Sequence, residues 1–303
     1  MTLPTFLVIG TGTAGTTALY AYMKQHPEVY LPSLKEPRFF SYDPDNPTAW
    51  WSLQSNYPPT DAEAYEQLFA EVTQEKAVGE VSPTYLHAPG AERRIHSMIP
   101  RVKLIAILRN PADRAWSNFV QAHRYGAFRT AEEFLRVIED PHMDLSDLRR
   151  SFRDSMFYYE HLTRYYSVFS KEQLKVFLYD DFVSDPVSLV QEIFRFLGVN
   201  DRFRPDMSQR HNVSGLPRSR LDRVLHRLVT MRNPVKAAAK LLLPSGVRQS
   251  ATRLYVQWMN SRVIKPPMPP VFWHRVQAVY REDILKLQDL LQRDLSSWMQ
   301  HRT

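Results

Sequence analysis

The chain has 303 residues, of which 44% are hydrophobic, and a formal net charge of +7. The apolar content suffices for a buried core, and the absence of cysteine excludes disulfide bonds and thiolate metal sites and fits a reducing, cytoplasmic location. The sequence shows neither a secretory signal nor the roughly 20-residue apolar run of a membrane-spanning helix, while its positive charge favours an anionic ligand or partner.

Short apolar strands alternate with amphipathic helices along most of the chain, which predicts an α/β fold with a mostly parallel central sheet flanked by helices. The predicted strands cover residues 5–10, 29–31, 76–80, 103–109 and 174–178. The predicted helices cover residues 17–25, 111–123, 185–197 and 271–299. Residues 201–270 are rich in arginine, lysine and proline, and we interpret them as a basic helical and loop-rich cap within a single domain, residues 1–303.

The first predicted strand runs into a turn rich in glycine and threonine, GTGTAGTT, at residues 10–17. Such a turn directs backbone N–H groups at an anion, and the positive end of the following helix dipole strengthens the attraction. The structural alternative is a tight connection without a ligand, because glycines also permit close backbone approach. The pattern predicts a phosphate site formed by Gly12, Thr13, Ala14, Gly15, Thr16 and Thr17.

Three classes of nucleotide-binding protein use this geometry, and neighbouring residues help to separate them. A Walker-type NTPase requires lysine where Thr16 stands, which argues against an ATPase. Gly10, Gly12 and Gly15 match the dinucleotide fingerprint, which predicts an acidic residue about 20 positions later, at the end of the second strand. That strand ends in proline, but Glu36 lies near the required distance, so an NAD(P)-dependent Rossmann oxidoreductase stays open as an alternative.

A second motif, KLIAILRNPADRAWSNF at residues 103–119, joins a buried strand to a helix. If the helix begins near Pro111, Arg114 and Ser117 share one face of it, next to the strand end that presents Arg109. Ligands of open α/β sheets bind at this carboxyl edge. The structural alternative for Arg109 is pairing with a nearby acid at the edge of the sheet.

In combination, the two motifs resemble the donor site of sulfotransferases that use 3′-phosphoadenosine 5′-phosphosulfate (PAPS). The first is similar to their 5′-phosphosulfate loop, and the second to the motif in which Arg and Ser hold the 3′-phosphate. The segment LKEPRFF, residues 34–40, is similar to one in heparan-type and bacterial carbohydrate sulfotransferases, whose glutamate serves as general base. HNVSGLPRSR, residues 211–220, resembles the basic loop that closes over the donor, through Arg218 and Arg220.

The resemblance implies transfer of a sulfuryl group to a hydroxyl or amine of a carbohydrate, lipid or small metabolite, with adenosine 3′,5′-bisphosphate as product. Glu36 is the expected base, unless it only forms a surface ion pair with Lys35 or Arg38, and His87 is the alternative base. No metal is expected, because the histidines lack ligand spacing. Nucleic acid is not an expected partner, since no recognised binding motif occurs. Peripheral membrane contact and the oligomeric state stay open.

The sequence departs from the family pattern at Thr13, where most members carry a lysine that supports the leaving oxygen. A threonine hydroxyl donates a hydrogen bond without charge, and a charge-assisted bond is roughly twice as strong. Lys35, in the LKEPRFF segment, is the first candidate to take the place of this lysine, and Arg93 and Arg94 are more remote candidates. A catalytically weak protein that binds nucleotides or polyanions therefore stays open as a further alternative.

Overall fold

A computed structural model of the chain describes residues 2–49, 52, 61–144, 149–208, 215–217, 222 and 262–301. Its strands are β1 (Phe6–Gly10), β2 (Val29–Tyr30), β3 (Ala77–Val81), β4 (Lys103–Leu108), β5 (Leu174–Leu178), β6 (Leu216–Pro217) and β7 (Val263–Ile264). The first five form a parallel sheet in the order β2-β3-β1-β4-β5, and β6 pairs with β7 in an antiparallel ribbon. The parallel sheet and its helices confirm the predicted α/β fold.

Ten helices are described between and after these strands. They are α1 (Thr16–Met23), α2 (Ala62–Gln67), α3 (Ala91–Met98), α4 (Pro111–Arg124), α5 (Ala131–Glu139), α6 (Arg150–Asp154), α7 (Tyr158–Tyr166), α8 (Tyr179–Ser184), α9 (Pro186–Leu197) and α10 (Pro270–Leu291). Single 3₁₀ turns cover Phe39–Ser41 and Ser296–Met299. The helix predicted for residues 271–299 therefore ends earlier, because Gln292 adopts a left-handed φ of 50°.

Helices cover both faces of the sheet, as the apolar strands require. Successive side chains of a strand point to opposite faces. Phe6 and Val8 of β1 pack in one core cluster with residues of α1 and α9, whereas Leu7 and Ile9 pack in the other with residues of α4, α7 and α10. All four side chains are fully buried. This two-sided core fixes the sheet as the rigid support of the loops at its edge.

The strand order argues against the dinucleotide-binding alternative. In the dinucleotide-binding fold the second strand lies beside the first. Here β3 lies between them, so β1 pairs with β3 and β4. The segments that follow β1 and β4, which carry the two motifs, therefore emerge side by side at the carboxyl edge of the sheet. Among the residues described, no helix is long and apolar enough to cross a membrane.

Candidate active site

A cavity of about 840 Å³ opens at the carboxyl edge of the sheet, where β1 and β4 end. Both sequence motifs contribute to its walls, although Thr13 and Arg109 are 96 residues apart in the chain. The predicted site residues that line it are Gly12, Thr13, Gly15, Thr16, Thr17, Glu36, His87, Arg109, Arg114 and Ser117.

Residues 12–17, which we call the phosphate loop, lead into α1 and include its first two residues, Thr16 and Thr17. Gly15 precedes this helix with a φ of 83°, a left-handed conformation that glycine adopts without steric cost. A side chain has no room there, because a Cβ atom at Gly15 would lie 2.7 Å from the ring of Phe182. Within the described part of the chain, nothing accepts a hydrogen bond from the N–H groups of Gly12, Thr13 and Gly15. These donors are therefore available to an anion in the cavity.

Two arginines of the second motif hold the phosphate loop by its carbonyl groups. Arg109 Nη1 donates to the Thr13 carbonyl at 2.8 Å, and Arg114 Nε donates to the Gly12 carbonyl at 2.9 Å. Arg114 is only 3% exposed, and its Nη1 donates to the Ser155 carbonyl at 2.6 Å. The peptide bond between Gly12 and Thr13 is planar and trans, so the Thr13 N–H points in the opposite direction from the Gly12 carbonyl, away from Arg114. Arg114 thus orients the loop as well as lining the cavity.

Ser117 and Arg109 each have a buried polar atom that forms no hydrogen bond within the described part of the chain. Ser117 is fully buried, yet its Oγ lacks a hydrogen-bond partner among the described residues, as does Arg109 Nε. The Arg109 guanidinium also stacks on the Tyr179 ring, with its Cζ 4.4 Å from the ring centroid. Leaving a buried hydroxyl unsatisfied costs about 1–3 kcal/mol. Both residues line the cavity, and phosphate oxygens accept hydrogen bonds from such donors, so these residues fit a phosphorylated nucleotide.

Glu36 lies in an ion-pair cluster at the cavity wall. Its Oε1 accepts from Lys35 Nζ and its Oε2 from Arg38 Nη2, each at 2.5 Å, while its backbone N–H donates to the Val81 carbonyl at the end of β3. Burial alone would raise the pKa of Glu36, but the charges and hydrogen bonds of Lys35 and Arg38 outweigh it and hold that pKa below its ordinary value. The carboxylate is therefore ionised at neutral pH.

His87 lines the same cavity and is 6% exposed. Its ring centroid lies 6.3 Å from that of His161, in a region that also contains Arg114 and Arg164. Burial, reinforced by these positive neighbours, holds the pKa of His87 well below the ordinary value of a histidine. The ring is therefore neutral at pH 7, which is the form that accepts a proton, but its lowered pKa makes it a weaker base than an ordinary imidazole.

Two predicted site residues lie outside the cavity, and two others lie outside the described residues. The Ala14 side chain is fully buried in the core, and its N–H donates to the Thr11 carbonyl, so neither group reaches the cavity. Lys35 is absent from the described cavity wall, because its ammonium group turns to Glu36. Arg218 and Arg220 fall among the residues that the structure does not describe, as does most of the predicted basic cap.

Several cavity residues were not expected from the sequence, among them Asn118, Lys265 and Arg124. Asn118 Oδ1 accepts a hydrogen bond from Thr13 Oγ1 at 3.1 Å, so the threonine in the lysine position is bound to α4. Lys265 and Arg124 add positive charge to the wall. Asn118 directly follows the predicted Ser117, a signal that could have identified it, whereas Lys265 reaches the cavity only through the β6–β7 ribbon. No group of three or more metal-ligating side chains occurs among the residues described, and the expectation of no metal stays a prediction.

Comparisons with known proteins place these features in a family context. A family model described as "Sulfotransferase family" matches residues 4–203. The bifunctional heparan sulfate N-deacetylase/N-sulfotransferase 4 of Mus musculus is 32% identical over 211 residues, which are 66% of this chain and 23% of that protein. The corresponding enzyme 3 of Homo sapiens is 30% identical over 207 residues, 65% of this chain and 22% of that protein. The chain thus spans less than a quarter of these relatives.

Among solved structures, the chain is similar to a sulfotransferase from Alicyclobacillus acidocaldarius. The two share 27% sequence identity and superpose with a TM-score of 0.72. The alignment covers 99% of this chain and 100% of the other, so the likeness extends beyond the residues matched by the family model.

Proposed function

The chain belongs to the sulfotransferase family, and on that basis we propose that it transfers a sulfuryl group from PAPS to a hydroxyl or amine of an acceptor. The observation that carries the proposal is that the phosphate loop and the pair Arg109 and Ser117 line one cavity. Backbone N–H groups at a helix start and a guanidinium beside a hydroxyl are both suited to phosphate. They match the two phosphate ends of adenosine 3′,5′-bisphosphate.

Each group has a defined task in this proposal. PAPS, when bound, supplies an activated sulfuryl group on its 5′-phosphate. The N–H groups of the phosphate loop hold that end and offset negative charge on the departing oxygen, while Arg109 and Ser117 hold the 3′-phosphate. Glu36 accepts the proton of the attacking hydroxyl or amine, and its ion pairs keep it in the charged form that a base requires. His87 is the alternative base. Arg218 and Arg220, which lie outside the described residues, stay predicted donor-binding residues.

In this proposal the acceptor of the sulfuryl group is a carbohydrate, a lipid or a small metabolite. Two relatives are named for heparan sulfate N-sulfotransferase activity, which supports a carbohydrate hydroxyl or amine. A lipid or a small metabolite is the other class of acceptor. We further propose that residues 1–303 act as one domain and, from the absence of cysteine, that the protein works in a reducing cytoplasm.

The decisive experiment combines donor binding with product detection. Adenosine 3′,5′-bisphosphate at 100 times its Kd should stabilise the protein by about 2.7 kcal/mol, seen as a higher melting temperature. Incubation with PAPS and a panel of carbohydrate and small-molecule acceptors should give a mass gain of one sulfate on an acceptor. Both signals should be lost in the double variant Arg109→Gln/Ser117→Ala.

The rival functions predict different outcomes of the same experiment. Stabilisation by adenosine 3′,5′-bisphosphate without a mass gain on any acceptor would favour the nucleotide-binding protein with weak catalysis. Stabilisation by NAD instead would favour the oxidoreductase. Stabilisation by neither ligand would overturn the proposed donor site.

A further inference from the structure

Residues 36–38, which carry the proposed base, are bound to the end of β3 by two hydrogen bonds. The Glu36 N–H donates to the Val81 carbonyl at 3.2 Å, and the Arg38 N–H donates to Ser82 Oγ at 3.1 Å. Glu36 and Arg38 both have a left-handed backbone, with φ values of 61° and 57°. Residues other than glycine keep this conformation only where surrounding contacts impose it. The two hydrogen bonds therefore fix the backbone from which the ion pair of Glu36 and Arg38 extends.

The Ser82 hydroxyl lies between Arg38 and the buried acid Glu80. Ser82 is fully buried and Glu80 is 1% exposed. Ser82 Oγ donates to Glu80 Oε2 at 2.7 Å, while the hydroxyls of Tyr65 and Tyr85 donate to Glu80 Oε1. An ionised carboxylate only accepts hydrogen bonds, and a serine hydroxyl has a single proton to donate. Because that proton goes to Glu80, the Ser82 oxygen presents its lone pairs to the Arg38 N–H.

These bonds form a continuous series from the core to the wall of the cavity. At its outer end, Arg38 Nη2 contacts Glu36 Oε2 at 2.5 Å. Burial is the largest single influence on the pKa of Glu36 and raises it, but the charges of Lys35 and Arg38 together outweigh it. The negative charge of Glu36 also acts on Glu80, and the positive charge of Arg38 acts on His87. A displaced Arg38 would therefore leave Glu36 with one cation and a higher pKa.

We propose that Ser82 is a positioning residue for the reaction: its oxygen anchors the Arg38 backbone, so that the Arg38 guanidinium keeps the Glu36 carboxylate oriented and ionised, while Glu80 fixes the direction of the Ser82 hydroxyl. This inference rests on the proposed function, in which Glu36 accepts the proton of the attacking group. Neither Ser82 nor Glu80 is among the residues described in the cavity wall, so both act on turnover through other side chains.

Ser82→Ala removes the anchor, and its effect can be measured at Glu36 itself. Carbon-13 NMR of protein labelled at the glutamate side-chain carboxyl follows the titration of Glu36, whose signal is identified by its loss in Glu36→Gln. In Ser82→Ala we expect this titration to move to higher pH, because the Arg38 contact is loosened while burial still disfavours the charged carboxylate. The Ser82 oxygen can accept from Arg38 whether or not Glu80 is ionised, so the comparison holds across the titration.

Turnover and donor binding complete the comparison. Because the pKa of Glu80 is about 7, this acid is mostly ionised at about pH 8. At that pH and saturating PAPS, the kcat of Ser82→Ala should fall by roughly 10- to 100-fold, since a misplaced base is inefficient even when it is ionised. The Kd of adenosine 3′,5′-bisphosphate, measured by calorimetry, should change by less than about twofold, because the substitution leaves the phosphate loop, Arg109 and Ser117 intact.

Two further variants serve as controls. Tyr65→Phe removes another donor to Glu80 but keeps the ring and leaves Ser82 and Arg38 in place, so neither the Glu36 titration nor kcat should change. Ser82→Cys fills the space of the hydroxyl with a weaker acceptor. It should shift both quantities in the same direction as Ser82→Ala, which preserves the test if the alanine variant does not fold.

The outcomes separate this inference from the proposed function. An unchanged Glu36 titration in Ser82→Ala, or equal losses in Tyr65→Phe, would show that Ser82 acts only in packing and would overturn the inference. A wild type that transfers no sulfuryl group to any acceptor would instead refute the proposed function, although a shifted Glu36 titration would still reveal the anchor between Ser82 and Arg38.

Discussion

The negative charge of the Glu36 side chain is balanced by one cation at each carboxylate oxygen. Lys35 and Arg38 contact its two carboxylate oxygens, and the residue itself has a left-handed φ of 61°. Such a backbone conformation is uncommon outside glycine and is often found where a side chain must be presented at a site. The cluster therefore holds the carboxylate at the cavity wall instead of leaving it free in solvent.

Replacing Glu36 by glutamine tests its role as base. Glu36→Gln keeps the shape but cannot accept a proton, so we expect kcat to fall by about 10²–10⁴-fold, with little change in the Kd of adenosine 3′,5′-bisphosphate. Steady-state kinetics at saturating PAPS measures the first quantity and calorimetry the second. Glu172→Gln, an exposed carboxylate in the loop before β5, is the matched control. Near-normal turnover of Glu36→Gln would remove Glu36 from the mechanism and make His87 the base to test.

Glu80 is a buried acid that makes stability depend on pH. It is 1% exposed and accepts hydrogen bonds from Tyr65, Ser82 and Tyr85. Burial raises the pKa of Glu80 from 4.5 to about 7, despite these hydroxyl donors. The folded protein thus binds this proton more tightly than the unfolded chain does. Protonated Glu80 therefore stabilises the fold. This stabilisation is fully present below the pKa that Glu80 has in the unfolded chain, and it is lost as pH rises through the pKa that Glu80 has in the folded protein.

The Glu80→Gln variant should remove this dependence. Between about pH 5 and about pH 8, the wild type should lose on the order of 3 kcal/mol of unfolding free energy that the variant keeps. Urea unfolding at the two pH values measures the difference. Identical pH dependence in the two proteins would show that Glu80 titrates normally in the fold.

The phosphate loop is the element in which backbone conformation matters most. Gly15 combines a φ of 83° with contact to the Phe182 ring, whereas Gly198, at the end of α9, has a φ of 81° and open space around it. Gly15→Ala should therefore cost about 1–3 kcal/mol more unfolding free energy than Gly198→Ala, because only the first adds a clash. It should also weaken binding of adenosine 3′,5′-bisphosphate. Thermal unfolding and calorimetry check both, and equal effects of the two substitutions would contradict this packing.

Much of the fold followed from local sequence patterns. Short apolar segments, several of them unbroken, predicted the five strands of the sheet to within about two residues, and Pro111 marked the start of α4 as expected of the first helical turn. Sulfotransferase family membership, inferred from motifs in the expected order, is confirmed by the family model. Local patterns worked because strands buried on both faces and helix starts depend mainly on neighbouring residues.

Other features depend on contacts between distant segments, which local patterns do not encode. The position of β3 between β1 and β2 is one of them. The bonds from Arg109 and Arg114 to the carbonyls of the phosphate loop are another, because an arginine in a sequence does not reveal its acceptor. Lys265 also escaped prediction, since the β6–β7 ribbon brings it to the cavity from a distant part of the chain. The roles assigned to the site residues stay predictions until they are tested.

At the scale of the whole molecule, charge should guide the donor to its site. The net charge is +7, and the described cavity wall contains one acid, Glu36, among its cations. These cations are Arg38, Arg109, Arg114, Arg124 and Lys265. Positive potential concentrated in a cleft speeds the approach of anions, and salt screens it with a Debye length of about 8 Å at 0.15 M.

The KM for PAPS should therefore rise with ionic strength, while kcat changes little. Initial-rate measurements across a sodium chloride series check this, with adenosine binding as the uncharged control. A KM that is independent of salt would show that long-range attraction contributes nothing to donor capture.

The arginine bonds that join the phosphate loop to the strand–helix unit beside it have a consequence for how a ligand enters. Thr11 adds to them, since its N–H and Oγ1 both donate to the Ile107 carbonyl of β4. A loop that is already immobilised loses little motional freedom when a nucleotide arrives, so less of the gross contact energy is lost to ordering it. Crystals grown with and without adenosine 3′,5′-bisphosphate should then superpose over residues 10–17 with Cα shifts below about 1 Å.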